Sequence, residues 1–298
     1  MEPLDAYKEA GRIASKVRRW ISDEVEVGMR LIDICDRVEK QIRDLGGKPA
    51  FPCNVDIDHV AAHYTSPVDD GSYVQESSLV KVDIGVHVDG YIADTATTIC
   101  LEPQLKMLVV AAEAALDAGL RTIRAGIKTS EVSSVIERTM KKMGVVPIRN
   151  LTGHKMARFV IHAGKAIPNV SSLMVGHKLG VGDVYAVEPF TTLPNAIGEV
   201  ADGPVGHIYR FQKRRSIDSK QAKEILKFIQ SEYKTLPFAS RWVFRRFPGI
   251  EGQEAFSELL RRRCLYSYPQ LIERSRRPVA QAEHTVIVEE DGCEITTA

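Results

Sequence analysis

Acidic residues stand inside apolar strand segments of this sequence, and that placement limits the folds open to the chain more than any other feature. Asp83 interrupts the apolar run of residues 80–86, and Asp94 stands likewise inside the run of residues 91–99. Between the runs, Asp89-Gly90 is typical of a tight hairpin turn. Because positions 83 and 94 are nearly symmetric about that turn, we expect the two carboxylates to lie about opposite each other across the hairpin.

Two glutamates repeat this placement. Glu188 ends the apolar run of residues 184–187, and Glu283 precedes the run of residues 285–288. Carboxylates buried together repel one another and lose their hydration, so they need a cation to neutralise them. Hard oxygen ligands suit Mn, Mg or Ca, and one imidazole, which His154 offers after a Thr-Gly turn, widens the choice to Co, Fe or Zn. The pattern therefore predicts a divalent metal site.

A structural interpretation of the same residues stays open at this point. An aspartate in a strand often lies at a sheet edge or points to solvent, and a lone histidine is often satisfied by backbone groups of a loop. Spacing alone does not decide between these interpretations and a metal site. A purely structural role explains any one of these residues more easily than it explains four such carboxylates together with a histidine.

Apolar periodicity divides most of the remaining chain between helices and short strands. It predicts helices in two parts of the first forty-odd residues, the second ending at Gly46-Gly47, and again at 104–124 and 129–143. It predicts further strands at 159–161, 184–190 and 285–288. The fold class expected from this mixture is α+β.

A basic segment stands apart from this acidic body. Residues 208–277 carry 17 Lys and Arg against 7 Asp and Glu, a net charge of +10, whereas the rest of the chain carries −9. Amphipathic runs at 217–233 and 254–265 predict helices within it. We expect a small helical insertion at 208–277, winged-helix-like, in a catalytic domain formed by residues 1–207 and 278–298.

Several classes of protein are disfavoured by what the sequence lacks. No stretch approaches the roughly 20 apolar residues that a membrane helix needs, and the first twenty residues lack the apolar core of a signal peptide. The five cysteines are scattered and form no CxxC pair, which argues against a zinc-thiolate site. We therefore expect a cytoplasmic protein that does not bind membranes, and nothing in the sequence demands more than a monomer.

The acidic residues and their flanking sequences resemble the methionine aminopeptidases, which belong to the pita-bread metallopeptidases. The segments that carry the resemblance are Asp83 with Asp94, Gly153-His154, Ile161-His162-Ala-Gly164, Tyr-Ala-Val-Glu188-Pro-Phe and Ala-Gln-Ala-Glu283-His. The 95 residues between the two glutamates resemble the type 2 branch, which has an insertion there, and Ala61-Ala-His-Tyr-Thr65 fits its archaeal form. The implied fold is a curved antiparallel sheet flanked by helices.

The resemblance implies that two divalent metal ions, Co, Mn, Fe or Zn, are bound at the predicted site. Asp83 would bind one ion, and His154 together with Glu188 would bind the other. Asp94 and Glu283 would bridge both ions. Such pairs are used by hydrolases to activate water and to polarise the bond that is cut.

The resemblance also implies catalytic and substrate-binding residues. Glu188 would move the proton from water towards the leaving amine, His63 would hydrogen-bond the scissile peptide, and His162 would steady the tetrahedral intermediate. The two histidines would also contact the substrate, whose methionine would enter a pocket lined by Phe51, Phe190, His207 and Tyr268. The reaction would be removal of the initiator methionine from the N-termini of nascent polypeptides whose second residue is small.

Two other functions remain open for a chain of this kind. A proline-directed aminopeptidase or dipeptidase shares the fold and the metal ligands. A pseudoenzyme that binds RNA or the ribosome is a second alternative, although members that take this role lose metal ligands. The basic segment 208–277 keeps open a combined case, in which the enzyme docks on ribosomal RNA through its positive charge.

Overall fold

The computed structural model of the protein describes residues 2–171 and 176–298. The helices of this part are α1 (Pro3–Glu24), α2 (Leu31–Asp44), α3 (Lys106–Leu120), α4 (Thr129–Lys142), α5 (Lys220–Glu232), α6 (Ser240–Arg246) and α7 (Gly249–Arg261), with a 3₁₀ turn at Pro103–Leu105. Across the described residues, none of these helices combines the length and the apolar character needed to cross a membrane.

The strands of the described residues pair in antiparallel sheets. They are β1 (Lys48–Pro49), β2 (Asn54–Ile57), β3 (Val60–Ala62), β4 (Leu79–Val88), β5 (Tyr91–Cys100), β6 (Val146–Pro147), β7 (Thr152–Met156), β8 (Ala166–Pro168), β9 (Val184–Val187), β10 (Phe190–Thr192), β11 (Val200–Phe211), β12 (Phe238–Ala239), β13 (Leu265–Glu273), β14 (Val279–Gln281), β15 (His284–Val288) and β16 (Cys293–Ile295). The strand orders are β1-β4-β2 with β5 on β4, β14-β10-β6, β12-β11-β13-β3 and β16-β15-β9-β7-β8. The predicted α+β class is confirmed.

The alternation of residues along β4 explains how the acidic positions come to be buried. Val80, Val82 and Ile84 pack with α1 and α2 in one apolar cluster. Alternate residues of a strand face opposite sides of the sheet, so Lys81 and Asp83 point away from that helix layer, and both are buried as well. A strand covered on both faces therefore carries apolar residues towards the helices and polar residues towards the interior of the molecule.

A second helix layer covers the opposite side. The apolar faces of α3 and α4 pack on β9, β14 and β15, where Tyr185, Val187 and Val286 are fully buried. The neighbouring residues of β9, Val184 and Ala186, point the other way and join a separate apolar cluster around Phe51. The curved antiparallel sheets thus lie between two helix layers, and their inner faces surround a cavity.

The hairpin of β4 and β5 turns as predicted, but its register differs from the prediction. Val88 pairs with Tyr91, so the loop consists of Asp89 and Gly90 alone, with φ angles of 51° and 89°. Both angles are positive, as the two-residue hairpin turn requires. This tight turn centres the pairing one residue later than we expected, and it places Asp83 opposite Ala96 rather than opposite Asp94. The two carboxylates share a face and lie diagonally across the ladder.

The strand predicted at residues 159–161 is wrong. The segment forms a turn closed by an isolated bridge between Ala157 and Val160. Phe159 has a φ of 57°, outside the extended region, and its N–H donates to the carbonyl of Gly90 at 2.7 Å. Its apolar ring packs at the edge of the sheet, which explains an apolar pattern without a strand.

The segment 208–277 contains α5, α6 and α7, and their apolar faces pack around their own aromatic cluster. Tyr209, Phe238 and Phe256 are buried at its centre, with ring centroids 5.0–6.5 Å apart. Strand β11 runs through position 208 without a break, so the segment continues a sheet that begins in the body of the molecule. The division of the chain into domains at 207/208 and 277/278 stays a prediction.

Candidate metal centre

The predicted metal ligands come from separate strands and meet on the wall of one cavity of about 200 Å³. Asp83 lies on β4, Asp94 on β5 and His154 on β7, while Glu188 follows β9 directly and Glu283 precedes β15 directly. All of these positions lie on the inner faces of the curved sheets. Residues distant in the sequence are therefore brought together by the fold.

The histidine and three of the acids lie close to one another. His154 Nε2 is 3.5 Å from Asp94 Oδ2 and 3.6 Å from Glu188 Oε1. The candidate ligand atoms of Asp94, His154 and Glu283 lie within 4.8 Å of one another. Oxygen and imidazole donors at such separations surround a space of the size that a divalent ion needs.

Several polar atoms of this cluster have no hydrogen-bond partner among the described residues. They are Asp83 Oδ1, Asp94 Oδ1 and His154 Nδ1, and each is buried. Leaving a buried polar atom unpaired costs about 1–3 kcal/mol, so three in one place call for an explanation. These oxygen and imidazole donors are ligands that a divalent cation accepts, so the residues present fit a bound metal ion.

Two amide side chains hold the outer oxygens of the acids. Asn54 Nδ2 donates to Asp83 Oδ2 at 3.3 Å, across the paired strands β2 and β4. Gln281 Nε2 donates to Glu283 Oε2 at 3.2 Å. Such contacts fix the orientation of a carboxylate while leaving its other oxygen free to bind a metal. Both amides are buried.

Threonine side chains join the hairpin to the sheet that carries Glu283. Thr285 Oγ1 accepts from the Asp94 N–H at 2.7 Å and donates to the Asp94 carbonyl at 2.8 Å. Thr95 Oγ1 donates to the Glu283 carbonyl, also at 2.8 Å. These contacts are made to the backbone of the acids themselves. They set the distance between Asp94 and Glu283, although the two residues belong to different sheets.

The burial of these acids shifts their proton affinities in one direction. Burial raises the pKa of Asp83 to about 7. Burial first, and the neighbouring carboxylates second, raise the pKa of Asp94, Glu188 and Glu283 well above the usual range of acids. Burial lowers the pKa of His154 well below its usual value. The cluster therefore holds protons among its acids until a cation takes their place.

His63 and His162 lie at the same cavity. The His162 ring centroid is 4.4 Å from that of His154, at an angle of 69°, and His63 lies 5.4 Å from the Tyr268 ring. His63 has a φ of 71°, a backbone state that costs of order 1–3 kcal/mol and clusters at functional sites. Burial lowers the pKa of His63 to about 4, so its imidazole is neutral at neutral pH.

Most of the predicted pocket residues line the cavity, and one does not. Phe51, Phe190 and Tyr268 form part of its wall. The Phe51 ring packs against Gly85, where any β-carbon would collide with it, so the glycine makes room for the ring. His207 does not line the cavity. Its ring centroid lies 6.5 Å from that of Tyr64, and its backbone has a φ of 62°.

Sequence reasoning missed part of the surroundings. Asn54 and Gln281 carry no metal-ligand signal of their own, although Gln281 stands two residues before Glu283 and so points to the same face of an extended chain. Pro237 also lines the cavity, from within the basic segment. The resemblance already placed Tyr268 of this segment at the site, but no pattern in the sequence indicates that Pro237 reaches it, since that contact depends on tertiary packing.

The sequence is similar to known proteins along most of its length. The model of metallopeptidase family M24 matches residues 5–290. A methionine aminopeptidase from Methanothermobacter thermautotrophicus is 43% identical over 297 residues, which cover 99% of this chain and 98% of the relative. One from Thermococcus kodakarensis is also 43% identical, with full coverage of both chains. The similarity extends along the whole chain.

Solved structures show the same architecture. The structure of a thermophilic Arx1 superposes with a TM-score of 0.85 at 19% identity, covering 99% of this chain and 90% of that one. A methionine aminopeptidase from Rickettsia prowazekii gives a TM-score of 0.69 at 20% identity, covering 100% and 97%. At such identities the likeness concerns the fold alone, and it confirms the predicted pita-bread arrangement of a curved sheet between helices.

Proposed function

The chain belongs to metallopeptidase family M24, and from this premise we propose that it removes the initiator methionine from polypeptides whose second residue is small. The observation that carries the proposal is the convergence of Asp83, Asp94, His154, Glu188 and Glu283 on one cavity. Relatives named methionine aminopeptidase, similar over the full length of the chain, support the same activity.

The five convergent residues would hold the metal. Membership of the family implies a divalent ion, and we propose two ions, with Co, Mn, Fe and Zn as candidates. Asp94 and Glu283 would contact both ions, Asp83 would contact one, and His154 with Glu188 the other. When bound, the metal supplies Lewis acidity that lowers the pKa of water and polarises the scissile carbonyl.

The proton in this proposal is carried by Glu188. Its side chain is 14% exposed, at the cavity surface rather than deep in the wall, so a water molecule can reach its carboxylate. Its Oε atoms would accept a proton from the attacking water and return it to the leaving amine. The neutral imidazoles of His63 and His162 would hydrogen-bond the peptide and steady the charge that develops on its oxygen.

The side chain of the substrate methionine would lie among aromatic and aliphatic residues. Phe51, Phe190 and Tyr268 form aromatic walls, and Ile208 and Leu271 add aliphatic surface. An unbranched thioether packs well against aromatic rings, through dispersion and sulfur–aromatic contact. The restricted space beside the carboxylates would limit the second residue to small side chains.

The test is release of free methionine from Met-Ala-Ser and Met-Leu-Ser by chelator-stripped protein, before and after adding Co, Mn, Fe or Zn. We expect metal-dependent cleavage of the first peptide, little of the second, and none by Asp94→Ala. A Met-Pro-Ser peptide and an Ala-Pro dipeptide test the proline-directed alternative, which shares this fold among solved structures. Cleavage of only the proline peptides would contradict the proposal.

The substrate partner is a polypeptide with an N-terminal methionine, and we propose further that the enzyme meets it on the ribosome, in the cytoplasm, as a monomer. The basic segment supports this, since its net charge of +10 favours phosphate contacts. Arg262 at the end of α7 already pairs with Asp218, but Arg261 and Arg263 are exposed. Ribosome pelleting that is unchanged when Arg261, Arg262 and Arg263 are neutralised would contradict the docking.

A further inference from the structure

The wall formed by β11 and β13 continues past the residues of the methionine pocket. Ile208 pairs with Tyr268 in the register of these strands, and both residues line the cavity. Two residues further along each strand, Arg210 pairs with Tyr266. Because alternate residues share a face and each residue advances about 3.4 Å, Arg210 and Tyr266 lie on the cavity side, about 7 Å beyond the wall.

The other face of the same strands is already occupied. Tyr209 and Leu265 are buried in the apolar cluster of the basic segment. Arg210 and Tyr266 therefore point away from that cluster, towards the mouth of the cavity. Tyr266 is 39% exposed and Arg210 is partly exposed, so this face is open to a ligand.

The guanidinium of Arg210 is held in place but not neutralised. Its Cζ lies 5.0 Å from the centroid of the Tyr266 ring. The Tyr266 ring in turn meets Tyr268 edge to face at 4.9 Å. Among the ion pairs of the described ranges 2–171 and 176–298, none includes Arg210.

We infer that Arg210, supported by Tyr266, binds a carboxylate of the substrate beyond the residue that follows the methionine. The inference rests on the proposed function and specifies its substrate class. A peptide that leaves the cavity in extended form advances about 3.3 Å per residue, so its third or fourth residue reaches this position. The carboxylate is either an acidic side chain or the free C-terminus of a short peptide, since both match the two-pronged guanidinium.

The test compares matched peptides on metal-loaded enzyme. Met-Ala-Asp-Gly amide and Met-Ala-Asn-Gly amide differ only in one charge, and Met-Ala-Ser as acid or amide places the charge at the terminus. We expect kcat/KM to favour the charged member of at least one pair by about fivefold to tenfold, mainly through KM. The preference should shrink as salt is raised, because the contact is electrostatic.

Arg210→Gln should bring the kcat/KM values of the charged and neutral peptides within about twofold of each other. Arg210→Lys should keep part of the preference, because it keeps the charge and loses the paired geometry. Arg215→Gln removes an exposed arginine elsewhere on the basic segment, and it should keep the full preference.

Three outcomes would overturn the inference, and they are distinguishable from one another. Equal cleavage of charged and neutral peptides by the wild-type enzyme would overturn it without touching the proposed function. A preference that persists in Arg210→Gln would show that another group binds the carboxylate. Failure of every peptide to be cleaved, with metal bound, would overturn the proposed function and this inference together. The wild-type comparison needs no variant to fold.

Discussion

Asp83 shows at the scale of a single residue what the metal centre demands of the protein. One of its carboxylate oxygens accepts a hydrogen bond from Asn54, and the other is buried without a partner among the described residues. Burial raises the pKa of Asp83 from 3.8 to about 7, although the hydrogen bond from Asn54 acts to lower it. The folded protein thus disfavours the ionised form of Asp83, and a bound cation would stabilise that form.

The raised pKa predicts how Asp83→Asn changes stability with pH in metal-free protein. Between about pH 4 and 7 the folded Asp83 binds more protons than the unfolded one, so its contribution to stability is present below pH 4 and is lost as the pH rises towards 7. Asparagine does not titrate. We expect the stability of the variant relative to wild type to grow across this window, by at most about 1.4 kcal/mol per pH unit.

Urea unfolding at several pH values measures this difference, with chelator present throughout. The substituted amide oxygen still accepts from Asn54, so the hydrogen bond is kept. Comparison with wild type at each pH cancels the titration of the histidines, whose lowered pKa values act in the opposite direction. A difference that stays constant between pH 4 and 7 would contradict the raised pKa.

A second prediction concerns metal and the Asp94→Asn variant. Without metal, the substitution should raise the melting temperature at pH 7.5, because it removes an acid whose ionised form is disfavoured by burial and by the neighbouring carboxylates. With Mn or Co added, wild type should gain stability by mass action, and the variant should gain much less because a ligand is lost. In thermal melts the variant should therefore have the higher melting temperature without metal, and wild type should have the higher one with metal. Equal stabilisation of both proteins by metal would contradict a metal role for Asp94.

Single residues also show which parts of the site are predictable from sequence. The positions of Asp83, Asp94, Glu188 and Glu283 are visible because charge interrupts an apolar strand, which only a compensating partner permits. The role of Asn54 is not visible, because an asparagine near a strand is equally compatible with a turn. The site residues that stand out are those that break a local rule, and those that merely support them do not.

At the scale of elements, hydrogen bonds between sheets define the site as much as the strands do. Thr285 is fully buried, and its hydroxyl satisfies both the N–H and the carbonyl of Asp94. This hydroxyl therefore makes the two hydrogen bonds that a neighbouring strand would otherwise make to Asp94 on that side of β5. Together with the Thr95 hydroxyl, which donates to the Glu283 carbonyl, it holds the hairpin and β15 at a fixed separation.

Thr285→Val is expected to destabilise the protein by about 2–3 kcal/mol, because two buried backbone groups lose their partner. It should also weaken metal binding, since the contact holds Asp94 relative to Glu283. Thr285→Ser keeps the hydroxyl and should restore most of both properties. Urea unfolding and metal titration by calorimetry measure the two effects. A valine variant that binds metal as tightly as wild type would show that the contact does not position the acids.

The elements were more predictable than their pairing. The periodic apolar spacing of α1, α2, α3 and α4 fixes a buried stripe, and the predicted helices agree with these elements. The pairing of the hairpin is centred one residue later than expected, because the turn closes over Asp89 and Gly90 alone. Sequence symmetry does not specify that loop length. At residues 159–161 the apolar pattern belongs to a turn and not to a strand, since the Phe159 ring can pack against the protein without a strand.

At the scale of the whole molecule, a buried ion pair fastens the basic segment to the first helix layer. Arg241 of α6 is fully buried and pairs with Glu39 of α2. Its other terminal nitrogen donates to Thr65 Oγ1 at 2.6 Å and to the Ser66 carbonyl at 3.0 Å, two and three residues beyond His63. Trp242 Nε1 donates to Glu39 as well, at 2.6 Å. No sequence pattern predicts this contact across about two hundred residues.

The ion pair predicts strong coupling between two substitutions. Arg241→Met leaves the Glu39 carboxylate buried without the guanidinium that pairs with it. Glu39→Gln leaves the buried guanidinium without the Glu39 charge. Each should cost about 3–5 kcal/mol, since a buried charge that loses its partner is costly. The double variant should cost clearly less than the sum, by about 1–3 kcal/mol. Urea unfolding of the four proteins measures the coupling, and additive costs would contradict it.

The continuity of β11 limits how this protein can be recombined with its relatives. One face of the strand carries Ile208 on the cavity wall, and the other carries Tyr209 in the core of the basic segment. A chimera cut at 208 and 277 would transplant a cavity wall, including Tyr268, along with the surface charge. A cassette limited to residues 212–264 would exchange the helices and leave the β11–β13 wall native, with Pro237 as the cavity-lining residue that it replaces. The choice of cut points therefore decides whether substrate preference travels with the exchanged segment.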